Sequence, residues 1–170
     1  MIIREIGNYV EEKIIFDDYI PIQVEFNHSI DLGKDRILYW RIGDFKKSLM
    51  EISISENSCK LLSLTLTLFN KINKDIKRKN SGDEILKKEG LPIIDIKKWP
   101  KNRYLDVNKE FKVDVGHESI IIKIENKNIK FEIVNGKVSF GIGEDNDLCK
   151  IEIDNIEKNK INYFKERWLS

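Results

Sequence analysis

Residues 129–142 read IKFEIVNGKVSFGI. Ile129, Phe131 and Ile133 alternate with Lys130 and Glu132; Asn135-Gly136 follows; Val138, Phe140 and Ile142 then alternate with Lys137, Ser139 and Gly141. Period-two alternation on both sides of Asn-Gly predicts a β-hairpin, because both central residues of a type I′ turn need φ > 0 and Asn and Gly tolerate it best. A turn centred there sets Ile133 opposite Val138, Phe131 opposite Phe140 and Ile129 opposite Ile142 on one apolar face. Lys130 and Glu132 then fall on the opposite, solvated face.

The pattern extends outward on both sides. Phe111, Val113 and Val115, alternating with Lys112 and Asp114, and then Ile120, Ile122 and Ile124 predict two strands before the hairpin. Beyond it, a turn around Asp145-Asn146 returns the chain through Cys149, Ile151 and Ile153. With two central residues, that turn places Ile142 opposite Cys149, Phe140 opposite Ile151 and Val138 opposite Ile153, so Cys149 becomes a core residue. From Asn155 to Trp168 the period changes: Ile156, Lys160, Ile161, Phe164 and Trp168 recur at three or four, which predicts a short amphipathic helix packed on a sheet edge.

The first half carries similar signals. Met1 to Phe16 reads as two short strands around Gly7-Asn8. Ile22, Val24 and Phe26 alternate after Pro21, and Asn27 to Asp35 reads as loop. Leu38, Trp40 and Ile42 oppose Ile37, Tyr39 and Arg41; Met50, Ile52 and Ile54 follow the same rule. Leu62, Leu64, Leu66 and Leu68 alternate with Ser63, Thr65 and Thr67, as expected of a sheet with one apolar face. Residues 71–90 break the pattern and form either a long surface loop or a joint, with Asp83 to Glu89 as a possible helical turn. Ile93, Ile94 and Ile96 make a short apolar run, and Pro100 bars a strand from continuing through it. The fold expected is mainly β: antiparallel sheets, arranged as one sandwich or two similar small β units, with a short C-terminal helix. The units would be an N-terminal half over 1–70, a joint over 71–92 and a C-terminal half over 93–170, or all of it one domain. A faint echo between EISISENSCK (51–60) and SFGIGEDNDLCK (139–150) fits either a duplication or two similar hairpins.

Composition narrows the function. The 170 residues include 30 basic and 29 acidic side chains and no alanine, so no global field recruits nucleic acid or an anionic membrane. The absence of the best helix former beside abundant isoleucine leans the chain toward strands. No apolar run approaches the length of a membrane span, and the amino terminus lacks the pattern of a signal peptide, which points to a cytoplasmic protein. Cys59 and Cys149 have no CxxC or zinc spacing and read as free thiols.

Chemistry-bearing motifs are scarce. His28 and His117 have neither a neighbouring Cys nor an HxH or HExxH pattern. No GxSxG, Walker-type loop or GxGxxG entering a helix occurs, and Gly141-Ile142-Gly143 lies within a strand. The run Glu144, Asp145, Asn146, Asp147 lacks the ligand spacing of a calcium loop. Asp17-Asp18 needs a cleft before acid–base work can be assigned to it. The basic run Lys71, Lys74, Lys77, Arg78, Lys79 has no interleaved aromatics to stack bases. Neither metal, cofactor nor catalytic residue is therefore expected. Two features remain as binding candidates: the acidic tip Glu144, Asp145 and Asp147, which would steer a basic partner, and Trp99 beside Pro100 as an exposed anchor.

Three stretches, RILYWRIGDFKKSLMEISI (36–54), Leu62 to Leu68 and NGKVSFGIGEDNDLCKIEIDNI (135–156), resemble the small cytoplasmic immunity proteins of bacterial polymorphic and contact-dependent toxin systems. That resemblance implies a non-enzymatic protein that binds one toxin domain and occludes it. It assigns no residue roles. The rival readings are a β-rich small-ligand or carbohydrate-binding module, which would show an aromatic platform in a groove, and an enzyme with an unrecognised active site, which would show a cleft holding two convergent carboxylates or His117.

Overall fold

The computed structural model describes residues 1–27, 35–70, 72–74 and 85–169, the side chains of 72–74 excepted. In chain order these form β1 (Ile3–Gly7), β2 (Glu12–Ile15), β3 (Ile22–Phe26), β4 (Ile37–Gly43), β5 (Leu49–Ser55), β6 (Leu61–Leu68), β7 (Ile72–Lys74), β8 (Leu86–Glu89), β9 (Leu91–Ile94), β10 (Tyr104–Asn108), β11 (Lys112–Val115), β12 (Ile120–Lys123), β13 (Phe131–Asn135), β14 (Val138–Ile142), β15 (Leu148–Ile153) and α1 (Lys158–Trp168). The strands build a six-stranded sheet in the order β10-β4-β5-β6-β3-β2, a seven-stranded sheet in the order β7-β11-β12-β15-β14-β13-β8, and a ribbon of β1 with β9. The chain is thus mainly β with one short C-terminal helix. Most pairings are antiparallel, but β10 on β4, β7 on β11 and β8 on β13 are parallel.

The predicted hairpin forms around a different pair of residues. Asn135 pairs with Val138, Ile133 with Phe140 and Phe131 with Ile142, so the turn is Gly136-Lys137. Gly136 has φ +58 and Lys137 is not among the residues with positive φ, the pattern of a type II′ turn with glycine first. The side chain of Asn135 explains the shift. It is wholly buried, its Oδ1 accepts from Val10 N at 2.9 Å, and its Nδ2 donates to Val10 O at 2.7 Å. An amide that mimics a backbone pair is worth more inside the sheet than in the turn. Gly136 also leaves room for Glu12, whose carboxylate would lie 2.2 Å from any Cβ there and accepts from Lys137 N at 2.8 Å.

The face opposite the apolar one is not solvated along β13. Glu132 is only 7% exposed and receives Lys150 Nζ at 2.6 Å, while Glu152 shares that ammonium at 3.1 Å. On the next hairpin Val138 opposes Ile153 and Phe140 opposes Ile151 as expected, but Ile142 meets Leu148. A register shift beyond Gly141 leaves buried Cys149 as the extra residue.

Two further shifts correct the leucine strand. Between Ser53 and Ile54 the partner jumps from Ser63 to Leu61, and between Leu49 and Met50 from Leu68 to Leu66. Leu61, Leu64 and Leu66 are therefore buried, whereas Leu62 is half-buried and Leu68 exposed. Residues 86–89 are a strand rather than a helical turn, and Asp83 and Glu84 lie outside the described residues. The two amino-terminal strands form, but in different sheets: β1 pairs with β9 and β2 with β3. Pro92 sits within β9, in a two-stranded ribbon where a missing N–H is tolerated.

Buried side chains of both large sheets belong to one hydrophobic cluster, and Phe26 of β3 meets Phe140 of β14 with ring centroids 6.3 Å apart. Helix α1 closes one edge. Phe164 stacks on Phe69 at 5.7 Å and meets Phe16, just past edge strand β2, edge-to-face at 6.3 Å. Cys59 and Cys149 are both buried free thiols.

Candidate functional site

The acidic tip forms the turn between β14 and β15, and lysines of the preceding loop meet it. Lys127 Nζ lies 2.7 Å from Asp147 and 3.6 Å from Asp145, and Lys130 lies 3.7 Å from Glu144. Burial pushes the Asp147 carboxyl up, but the hydrogen bond and charge of Lys127 more than offset it, so its pKa ends below the ordinary value. Cys149 behind it is pushed up to about 11, first by burial and then by Asp147. Trp99 is half-buried, packs against the core, and donates Nε1–H to Arg103 O at 2.9 Å. That carbonyl also accepts from Tyr39 N, which places Trp99 beside the six-stranded sheet, whereas the tip belongs to the seven-stranded one.

Other candidates resolve into local roles. Asp17 accepts from Tyr19 N at 2.7 Å in a tight turn, and Asp18 accepts from the Tyr163 hydroxyl at 2.5 Å, fastening α1. His117 stands exposed in the turn between β11 and β12. His28 and the side chains of the basic run Lys71 to Lys79 lie outside the described residues.

The surface with the most built geometry is the outer face of the six-stranded sheet. Pairing register lays its side chains in two rows across the strands: Tyr104, Tyr39, Ser53, Ser63, Glu25, Lys13, and beside it Asp106, Arg41, Glu51, Thr65, Gln23, Ile15. At the β10 end, Arg41 grips Asp106 with Nε and Nη2 at 2.7 and 2.8 Å. Its guanidinium lies 4.3 Å from the Tyr104 ring centroid and 5.9 Å from that of Phe45. Tyr39 and Tyr104 stack at 5.2 Å with 16° between their planes.

Phe45 owes its place to a rigid turn. The Asp44 carboxylate accepts backbone N–H bonds from Lys46, Lys47 and Ser48 at 3.0, 2.7 and 2.8 Å. Those bonds, led by Lys47, hold its carboxyl well below the usual carboxylate range. They also hold Phe45 at φ +58, an uncommon conformation for an aromatic residue, with the ring 40% exposed.

The middle of the face is flat and small-sided. Ser53 Oγ and Ser63 Oγ are 2.6 Å apart. They floor a groove of about 700 Å³ edged by Glu11, Glu12, Glu25 and Lys13. Glu51 is half-buried; burial raises its pKa, Arg41 lowers it and Asp106 raises it again, with a net upward shift. Glu11, Glu25 and Glu51 form no ion pair among the described residues, in contrast to the hairpin tip.

Only part of this face is legible from sequence. The alternation of Tyr39 and Arg41 against Leu38, Trp40 and Ile42 marks an outer face. Tyr104 and Asp106 also alternate with apolar Leu105 and Val107, but no local signal shows that this short strand joins in parallel to β4, far away in the chain. No protein-family model matches this chain, and no curated protein matches it.

Proposed function

We propose that the chain is a non-catalytic protein-binding module that neutralises its partner by covering it, the role of the immunity proteins it resembles, and that the partner lands on the outer face of the six-stranded sheet. The observation that carries this reading is the surface cluster in which half-buried Tyr39 and Arg41 pack with exposed Phe45 and Tyr104. Tyr and Arg are enriched at binding hot spots, where large preorganised side chains lose little entropy on association. The bidentate Asp106 contact and the Asp44 turn fix this cluster before any partner arrives. Ser53, Ser63 and Thr65 beside it let a partner approach the sheet closely. Glu11 and Glu25, which form no ion pair among the described residues, complement a basic partner better than the tip, whose carboxylates already face Lys127 and Lys130.

A second reading, a β-rich small-ligand or carbohydrate module, draws support from the groove and its hydroxyl floor. The tyrosines favour the first reading, because the Tyr104 ring is already occupied by Tyr39 and Arg41 and offers no free platform for a sugar. The deciding experiment is co-expression with the product of the adjacent gene, scored for survival and for a purified complex. Protection is expected, with Phe45→Ala and Tyr104→Ala together weakening association ~100-fold or more, as for a pair of hot-spot residues. Alanine at 144, 145 and 147 should weaken it less. A wild-type chain that neither binds nor protects rejects the immunity reading; protection indifferent to Phe45 and Tyr104 rejects the placement.

A further inference from the structure

A second cavity, of about 470 Å³, lies between β1 and the edge of the seven-stranded sheet where β8 runs. Pairing register explains one wall: Leu86 stands opposite Phe131, and Leu86 and Lys88, two apart on a strand, share a face. Ile3 and Ile6 supply the other wall. Beside Ile6, the chain passes from β8 to β9 in close contact with β1. A Cβ on Gly90 would lie 2.1 Å from Gly7 O and 2.8 Å from Ile6 Cγ2, so only glycine lets the two backbones meet there. Asn146, also in the lining, is fixed by Ile3 N, which donates to its carbonyl at 2.8 Å.

The rim is cationic. Arg4, Lys88 and Lys130 line the cleft against one carboxylate, Glu5, which Arg4 already holds at 2.7 Å. Among the described residues, Lys130 has only the 3.7 Å ion-pair contact with exposed Glu144. Lys88 rests over the Phe131 ring at 4.7 Å and makes no ion pair among the described residues. Leu86, 60% exposed, faces solvent on a strand whose four residues are all exposed. Apolar walls beneath a surplus of positive charge ask for two things at once: an apolar body to remove Leu86 and Phe131 from water, and an anionic head to meet Lys88 and Lys130.

We propose that this cleft binds a small amphiphilic anion, an aromatic or aliphatic body carrying a single carboxylate or sulfonate. The site is separate from the sheet face assigned to a protein partner and does not depend on it. The test titrates 8-anilinonaphthalene-1-sulfonate into the folded 170-residue chain, followed by fluorescence and calorimetry, with uncharged N-phenyl-1-naphthylamine in parallel. One saturable site is expected, with the neutral compound ~10-fold weaker, the scale of one lost charge-assisted contact. Lys88→Glu should weaken the sulfonate ~10-fold or more and leave the neutral compound unchanged. Leu86→Asp should weaken both, and Lys46→Glu, in the exposed turn beside Phe45, neither. No saturable site, equal affinity for the two compounds, or an isotherm unmoved by Lys88→Glu overturns the proposal. If Leu86→Asp lowers the melting temperature, Lys88→Glu, at an exposed position, decides alone.

Discussion

Replacing Asn135 by glycine separates two accounts of the hairpin. As a turn residue with φ > 0, Asn135 would give way to glycine at no cost, since glycine adopts that conformation freely. In the structure Asn135 is a strand residue, buried, with two hydrogen bonds to the backbone of Val10 at 2.9 and 2.7 Å. Each bond is worth about 1–1.5 kcal/mol net, since Val10 is only half-buried and water can partly replace what is lost. Glycine within a strand adds about 0.5–1 kcal/mol of backbone entropy. Asn135→Gly should therefore destabilise by about 3 kcal/mol, and Asn135→Ala by about 2–3 kcal/mol. Urea unfolding followed by tryptophan fluorescence and circular dichroism reads this as a lower midpoint at unchanged slope. A glycine variant within about 0.5 kcal/mol of wild type would refute the Asn135–Val138 register and restore the Asn-Gly turn.

Glu132→Ala should cost about 1–3 kcal/mol in the same assay, because it leaves the largely buried Lys150 with Glu152 alone; a change below about 0.5 kcal/mol would mean that this face is wet after all. Phe140→Ala should cost about 3–5 kcal/mol, with Phe140 fully buried against Phe26, and half-exposed Phe131→Ala clearly less; equal losses would contradict the observed faces. Lys127 holds the Asp147 pKa below its ordinary value, so the stability this pair contributes is fully present above the unfolded carboxylate pKa of about 4 and is lost as pH falls through the lower folded value. The stability gap between wild type and Lys127→Met should thus be constant above about pH 5 and close in acid; a gap that persists to about pH 1 would place its origin elsewhere.

What the sequence discloses here follows from the range of each interaction. Alternation places Leu38, Trp40, Ile42, Phe140 and Ile151 on inner faces, since the period of a strand is a local property. The helix is legible for the same reason, from Ile161 and Phe164. Register is less local. Asn135 leaves the turn because Val10, distant in sequence, offers it better partners, and Leu62 loses its buried place to Leu61 through a bulge that no alternation announces. Topology is the least legible. The parallel additions of β7, β8 and β10 join strands far apart in the chain, so the Tyr39, Arg41, Phe45 and Tyr104 cluster exists only once the sheet is assembled. The expected tip is equally instructive: three acidic residues in a row of four suggest a negative surface, while the lysines that answer them come from the loop ending at Lys130.

The parallel seat of β10 on β4 has a consequence for how the protein is made. Arg41 and its partner Asp106 are 65 residues apart. At a synthesis rate of ~5–20 residues per second, the ribosome delivers the second strand ~3–13 s after the first. Through that interval the meander of β4, β5 and β6 can close on itself while the flank of β4 keeps unpaired N–H and C=O groups, an invitation to pair with another nascent chain. Arg41, its Asp106 partner not yet made, then stands on that flank with Glu51 of β5 opposite it, and a charged side chain beside an unpaired edge opposes such pairing. The same side chain that later fastens β10 thus guards its vacant place during synthesis.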